Sequence, residues 1–394
     1  MTQTDGTRAA HPRRLAAVTA GWLTTALRDA GVDTEVVGFE PELIGDGVGQ
    51  MATLHRLALT TVDGTGPATL VVKFAGQMEA NLAIAARFGL FRREVEFYRV
   101  AASRTSMALP RVYVAEIDAD ETFVLLMEDL GGIQTGDQVE GLAPADAAAA
   151  IDELVKLHAP FWDAVDTGEF DFAPRVDAVG QADQMHAIAI ASWDAMNTVH
   201  GDAVPAFMND VRQRFLDAIP AMHRWLGSAP TTLIHSDFRL DNLMLGDGAA
   251  HPAVVTLDWQ GALRSRGIED VAFLLSQSVP AELRGGCERD LVERWRTGLA
   301  AAGVDAGTAA DLAHLEGLCD QMQEAAPTAP SARWFELDWQ FHQTLVEASG
   351  NERFINDFDL LMFECNYVFY RLPSTMLPAP SREHPLMITL VQGV

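Results

Sequence analysis

Three residues at fixed spacing can do chemistry: Asp237 and Asn242 in His235-Ser-Asp237-Phe-Arg-Leu-Asp-Asn242, and Asp258 in Val254-Val255-Thr256-Leu257-Asp258-Trp259. In phosphoryl transfer one carboxylate orients and deprotonates an acceptor hydroxyl, and an Asn five positions on chelates a metal ion. A second Asp, at the end of the next strand, bridges that metal to the phosphates. The spacing therefore predicts a polar hairpin carrying Asp237, Asn242 and Asp258, framed by the apolar runs Thr232-Leu233-Ile234 and Ala253 to Leu257, with a Gly246-Asp247-Gly248 turn between. Acids in a loop are also common solvated turn formers, but the whole pattern between two apolar strands favours chemistry.

The loop pattern H-x-D-x-x-x-x-N resembles that of the aminoglycoside phosphotransferase, choline kinase and ecdysteroid-kinase-like group, and the likeness extends over about residues 43–304. The resemblance implies a two-lobed, protein-kinase-like α+β fold, with ATP and Mg2+ as cofactors and the hydroxyl of a small molecule as acceptor. It makes Asp237 the base and gives His235 a supporting place in the loop. Asp258, followed by Trp-Gln where protein kinases have Phe-Gly, becomes a metal ligand together with Asn242. Gly45, Gly47 and Gly49 then match a hairpin whose backbone N–H groups cover phosphates, although a Gly-rich turn is by itself usually only a turn.

Lys73 lies in the apolar run Leu70-Val71-Val72-Lys73-Phe74, where an unpaired charge is costly and a partner is required. Glu94, on the helical stretch Phe91 to Tyr98, matches the family's Lys–Glu ion pair that aims the ammonium at the nucleotide phosphates. Glu96 is the rival partner, and an edge-strand lysine is the bland alternative. Glu128 and Leu130, where Leu125-Leu126-Met127 runs into Glu-Asp-Leu-Gly-Gly, match the family's hinge, whose backbone receives adenine. His158 reads as a packed or capping histidine, and Asp270 as a structural residue near a helix N-terminus. Arg264 and Arg266 read equally as phosphate anchors or as surface charges.

These residues need a frame. From about Val36 to Phe123, short β-branched runs alternate with turn signals, predicting a small antiparallel sheet interrupted by one helix. Leu15, Val18, Trp22 and Leu27 recur at helical spacing and predict an amphipathic first helix, not a signal peptide. From about Ala143 the chain turns helical apart from the polar hairpin. The predicted domains are an N-terminal kinase-like lobe over 1–130, a helical lobe with the catalytic hairpin over 131–312, and a further helical segment over 313–394. An Ala/Pro/Thr/Ser-rich stretch at about 324–333 marks a linker or long loop.

From about Leu315 the pattern changes character. Asp338-Trp-Gln-Phe341-His342 through Ser349-Gly350-Asn351, and later Arg382-Glu383-His384, resemble the FCD effector domain of GntR-type regulators, in which an Asp and several His residues bind a divalent metal. Asp338 and His342 stand four apart and can face one ligand from one side of a helix, and His384 is the third candidate. The likeness is incomplete: a fourth ligand and a winged helix-turn-helix are not found. An N-cap Asp with a packed His is the alternative. This resemblance leaves a second functional reading, a non-catalytic metal or ligand sensor that joins a kinase relic to an incomplete FCD-like domain.

Composition removes other classes. The formal charge of −27, with 28 Lys and Arg against 55 Asp and Glu, argues against nucleic acid or an anionic membrane surface as partner. Cys287, Cys319 and Cys365 form neither a disulfide framework nor a zinc knuckle, which fits a reducing, cytoplasmic setting. Neither the acceptor's identity nor the oligomeric state is encoded in any pattern found.

Overall fold

The computed structural model describes residues 11–45, 51–131, 133–201, 206–249 and 251–304. The order opens with α1 (Ala20–Asp29), β1 (Val36–Ile44), β2 (Ala52–Thr61), β3 (Thr69–Ala75), α2 (Glu79–Phe88), α3 (Leu90–Glu96), β4 (Val112–Ile117), β5 (Phe123–Glu128) and the two-residue β6 (Gln134–Thr135). Then come α4 (Pro144–His158), α5 (Gln181–His200), α6 (Ala206–Leu226), β7 (Thr232–Ile234), β8 (Leu243–Leu245), β9 (Val254–Thr256), β10 (Leu263–Ser265), α7 (Ile268–Ser278) and α8 (Ala281–Ala301). Two compact units result. Of the described residues, one takes those up to Gln134, with Glu169–Phe172 and Gly246–Ala262, and the other takes the rest.

The first unit is built on an antiparallel sheet of order β1-β2-β3-β5-β4. Period-2 alternation divides its central strands between two cores. Leu70, Val72 and Phe74 of β3 join Val124 and Leu126 of β5 beneath Leu23 and Leu27 of α1. Val71, Leu125 and Met127 face the other way, onto Phe91 and Val95 of α3. Lys73 shares the parity of Val71, which turns it toward α3. Its strand lies between β2 and β5, so the edge-strand reading of Lys73 does not hold.

The first helix begins later than its periodicity suggests. Leu15–Ala17 is a single 3-10 turn, Val18 is extended, and Thr19 caps α1 by accepting the Trp22 N–H at 3.1 Å. A hydroxyl that satisfies an otherwise orphan helix N–H outcompetes continuation of the apolar stripe. Gly89, at φ 63°, both ends α2 and starts α3, a left-handed joint that favours a residue without Cβ. After α3 the backbone widens into one π-helical stretch, Phe97–Ala101.

In the second unit α5 and α6 pack through Trp193, Met196, Phe215, Leu216 and Ile219. The short strands β7 and β10 pair antiparallel, Leu263 opposite Ile234, and so fix the backbone that leads into the His235 loop. α8 lies against α4 closely enough that a Cβ on Gly298 would stand 2.7 Å from Val155 Cγ2. Among the described residues no helix is long and apolar enough to cross a membrane.

Candidate functional site

Two sets of polar side chains are assembled, one in each unit. In the first, Lys73 Nζ lies 2.8 Å from Glu94 Oε1 and 3.3 Å from Asp258 Oδ1. Lys73 and Glu94 are sealed from solvent, with side chains 6% and 2% exposed, whereas Asp258 is 42% exposed. Burial works against the ammonium, but the Asp258 and Glu94 carboxylates outweigh it and hold Lys73 above the ordinary lysine range. Burial pushes Glu94 upward, and Lys73 offsets only part of that push. The rival carboxylate, Glu96, is paired with Arg99 at 2.8 Å on another face of the helix.

Asp258 adopts φ 60° and ψ 76°, a left-handed conformation that costs a non-glycine residue on the order of 1–3 kcal/mol. The next residue helps to hold it there. Trp259 is fully buried and stacks on Phe97 with ring centroids 3.4 Å apart and planes 5° apart, so the metal-type Asp is fastened to the π-helical stretch behind α3. Gln260 then donates from Nε2 to Glu94 Oε2 at 3.3 Å. The Trp-Gln that follows Asp258 thus has packing and hydrogen-bonding work of its own.

In the second unit Asp237 and Asn242 meet on one tight loop. A 3-10 turn over Leu240–Asn242 folds the chain back, and Asn242 Nδ2 donates to the Asp237 carbonyl at 2.8 Å and to Asp237 Oδ2 at 2.9 Å. Arg239 approaches the other carboxylate oxygen, Nε to Oδ1 at 2.9 Å, and also stands 3.5 Å from Asp241. The turn is braced from below, since the Leu240 N–H donates to Ser278 Oγ and the Asp241 N–H to Gln138 Oε1. Gly136 is required there, because a Cβ at that position would meet Leu240 Cδ1 at 2.0 Å.

Behind this loop lies a buried relay. The Asp270 carboxylate accepts the backbone N–H groups of His235 and Ser236, each at 2.8 Å, and lies 3.2 Å from His158 Nε2. His158 Nδ1 accepts from Trp295 Nε1 at 3.0 Å. Indole N–H only donates, so the His158 ring carries its proton on Nε2 and gives it to Asp270. Ser236, at φ 65°, is held in that conformation by its bond to Asp270. Asp270 therefore does more than sit near a helix start: Gly267 occupies the N-cap position of α7, and Asp270 reaches across to the loop.

Other expected residues fall as follows. His235 is fully buried, and its Nδ1 accepts the Asp237 N–H at 3.3 Å, a loop support. Arg264 and Arg266 turn inward: Arg264 donates to the carbonyls of Ala173 and Val165, and Arg266 to those of Trp225 and Ala229 and to Ser228 Oγ. Both are thus structural, not phosphate anchors or free surface charges. The Glu128 N–H donates to the Arg111 carbonyl at 2.8 Å, and the Leu130 carbonyl accepts from the Ile133 N–H at 2.8 Å. Gly45 ends β1 at φ 69°, while Gly47 and Gly49 lie outside the described residues. So do Asp338, His342 and His384. Among the described residues no group of three or more His, Cys, Asp or Glu side chains is placed to hold a metal ion.

Sequence reading missed Arg239, Gln260 and Trp295 as parts of these sets. Only Arg239 carried a local signal, a cation two residues after the base-type Asp.

Comparison with known proteins adds the following. The sequence model of the phosphotransferase enzyme family (APH) matches residues 58–311, and that of the FCD domain matches residues 289–389, so the two overlap across the second half of α8. No curated protein matches the chain. Among solved structures, choline kinase from Cryptosporidium parvum Iowa II aligns at TM-score 0.48 and 9% identity, covering 94% of this chain and 99% of that one. Amicoumacin kinase, in complex with AMP-PNP, Ca2+ and Ami, aligns at 0.45 and 12%, covering 83% and 93%. The GDP complex of wild-type aminoglycoside 2′-phosphotransferase-IIIa aligns at 0.42 and 12%, covering 85% and 99%.

Proposed function

The chain belongs to the phosphotransferase enzyme family and has a kinase-like α+β fold, and on that premise we propose that it transfers the γ-phosphoryl group of ATP to a hydroxyl of a small molecule. The observation that carries this reading is Lys73. A charged group buried in a central strand and held by Glu94 and Asp258 adds little stability that an apolar residue of similar volume would not, so its presence there points to a task for the charge. In this reading the Lys73 ammonium holds the phosphates of the donor, and Glu94 and Gln260 aim it. Gly45, Gly47 and Gly49 are assigned to the phosphates, and the backbone at Glu128 and Leu130 to the adenine.

Asp237 is assigned as the base that orients and deprotonates the acceptor hydroxyl. Its carboxylate is 41% exposed, open to a substrate while Asn242 fixes its angle. Magnesium is assigned to Asp258 and Asn242 on the chemistry of each donor alone. Asp258 offers a half-exposed carboxylate, and Asn242, whose Nδ2 is spent on Asp237, offers its amide oxygen; both are hard oxygen donors. Bound magnesium would neutralise charge on the phosphate oxygens.

The test is isothermal titration with ATP, with and without magnesium, followed by turnover measurements. Magnesium-dependent binding is expected in the wild type and should be lost in Asp258→Ala. Asp237→Ala should bind nucleotide yet abolish turnover, and near-normal turnover in that variant would refute the assignment of the base. The match of residues 289–389 to the FCD domain keeps the sensor reading as the rival. Folded protein that ignores magnesium-ATP but retains a divalent metal, released by His342→Ala, would favour that rival and assign Asp338, His342 and His384 to the metal.

A further inference from the structure

We infer that Arg239 is a catalytic residue that binds the phosphoryl group in flight, an assignment that rests on the phosphotransfer reading of Asp237. Both oxygens of the Asp237 carboxylate are engaged: Oδ2 accepts from Asn242 at 2.9 Å, and Oδ1 faces Arg239 Nε at 2.9 Å. The Arg239 contact is one of charge, not of alignment, because no hydrogen-bond acceptor among the described residues is lined up with its Nε. Arg239 Nε is itself shielded from water, but the arginine side chain as a whole is 26% exposed and Asp237 is 41% exposed, so an anion can reach the guanidinium and compete for it. Asp241, the second carboxylate beside Arg239, is 3.5 Å away.

The position of that competing anion follows from the reaction. An acceptor hydroxyl served by Asp237 must lie roughly 2.6–3.2 Å from its carboxylate. The same oxygen must stand about 3–3.5 Å from the phosphorus it attacks. The phosphorus therefore comes within about 7 Å of the Asp237 carboxylate that Arg239 touches, a span covered by rotating the long arginine side chain. Its planar fork of N–H donors matches two phosphoryl oxygens at once and keeps its charge at any working pH.

In the step itself the acceptor O–H proton passes to Asp237 as the acceptor oxygen forms its bond to the γ-phosphorus. The bond from that phosphorus to the β,γ-bridging oxygen breaks, and its electron pair leaves on ADP. Protonation removes the negative charge that held Arg239 to Asp237, at the same moment that charge on the three equatorial phosphoryl oxygens calls for a cation. Arg239 thus moves from base to phosphoryl group in the direction of reaction, and its departure clears Oδ1 for the proton.

The experiment compares binding of magnesium-ADP with and without aluminium fluoride, a planar mimic of the transferring group, in wild type, Arg239→Met and Arg239→Lys. Full-length protein is used, folded state is checked by circular dichroism, and Arg239→Gln replaces Met if that variant fails to fold. Wild type should gain on the order of 10²-fold or more in affinity from the fluoride. Arg239→Met should lose at least about tenfold of that gain with ADP affinity changed less than about threefold, and Lys should restore part of it. Slow ATP hydrolysis should fall about 10³-fold in kcat with KM nearly unchanged. An intact fluoride gain in Arg239→Met, equal losses with and without fluoride, or no fluoride gain in a wild type that binds ADP would each overturn the role of Arg239. A folded wild type that binds no magnesium-ADP would instead overturn the phosphotransfer reading.

Discussion

Replacing Asp270 by Asn isolates what the buried relay contributes. The carboxylate serves three donors: the N–H groups of His235 and Ser236 at 2.8 Å each, and His158 Nε2 at 3.2 Å. An amide has one oxygen, so at least one of these donors must face an NH2 group. Losing a bond to a charged acceptor and stranding its buried donor is expected to cost about 2–4 kcal/mol. His158 cannot rescue the variant by moving its proton, because Trp295 Nε1 already donates to Nδ1. Trp295→Phe alone should cost about 1–2 kcal/mol for its one bond. With both changes the ring is free to carry its proton on Nδ1 and accept from the amide through Nε2, so the double variant should lose about 1–2 kcal/mol less than the sum. Urea unfolding of the wild type, the two single variants and the double variant measures this, provided the m-value stays constant. Additivity within about 0.5 kcal/mol would refute the tautomer argument.

Three further outcomes are expected. Gly267→Ala should destabilise by about 1–3 kcal/mol in thermal melts, because the new Cβ would stand 2.8 Å from His158 Nδ1 and 3.0 Å from Trp295 Cζ2. Burial, together with the nearby Asp270 charge, pushes Glu269 up to about 7 against the opposing hydrogen bond from Ser265. The stability contributed by protonated Glu269 is then present below its unfolded value of 4.5 and lost as pH rises through 7. Glu269→Gln should therefore flatten that fall, worth up to about 3 kcal/mol between pH 5 and pH 8 by equilibrium unfolding. Glu94→Gln leaves Lys73 with Asp258 as its remaining carboxylate and should lower kcat/KM for ATP by about 10²-fold while circular dichroism stays unchanged.

What could be read from the sequence depended on range. Asp237 and Asn242 meet through a five-residue turn, so their spacing alone brought them together. Lys73 and Glu94 are 21 residues apart, yet a cation in an apolar strand demanded a partner and the next helix offered two candidates. The family resemblance favoured Glu94; in the structure strand parity turns Lys73 toward α3, and the helix presents Glu94 to it while Glu96 pairs with Arg99. His158, Asp270 and Trp295 join segments 112 and 137 residues apart, and each alone looks like a packed histidine, an acid in the first turn of a helix and a core indole. Thr19 was overlooked because apolar periodicity outweighed a cap, although the cap was present in the sequence. Arg264 and Arg266 misled for the opposite reason, since a cation that donates to backbone carbonyls leaves no charge pattern behind.

Those two inward arginines still count in the field that the molecule presents to solution. Their N–H donors are spent on carbonyls inside the second unit, but carbonyls are neutral and cancel no charge, so both cations remain in the formal −27 while offering little surface for contact. An anion such as the nucleotide proposed as donor meets a long-range barrier, whereas a cationic encounter partner is drawn in. Added salt shortens the reach of both effects to about 8 Å at 0.15 M, so the two association rates should respond to ionic strength with opposite sign.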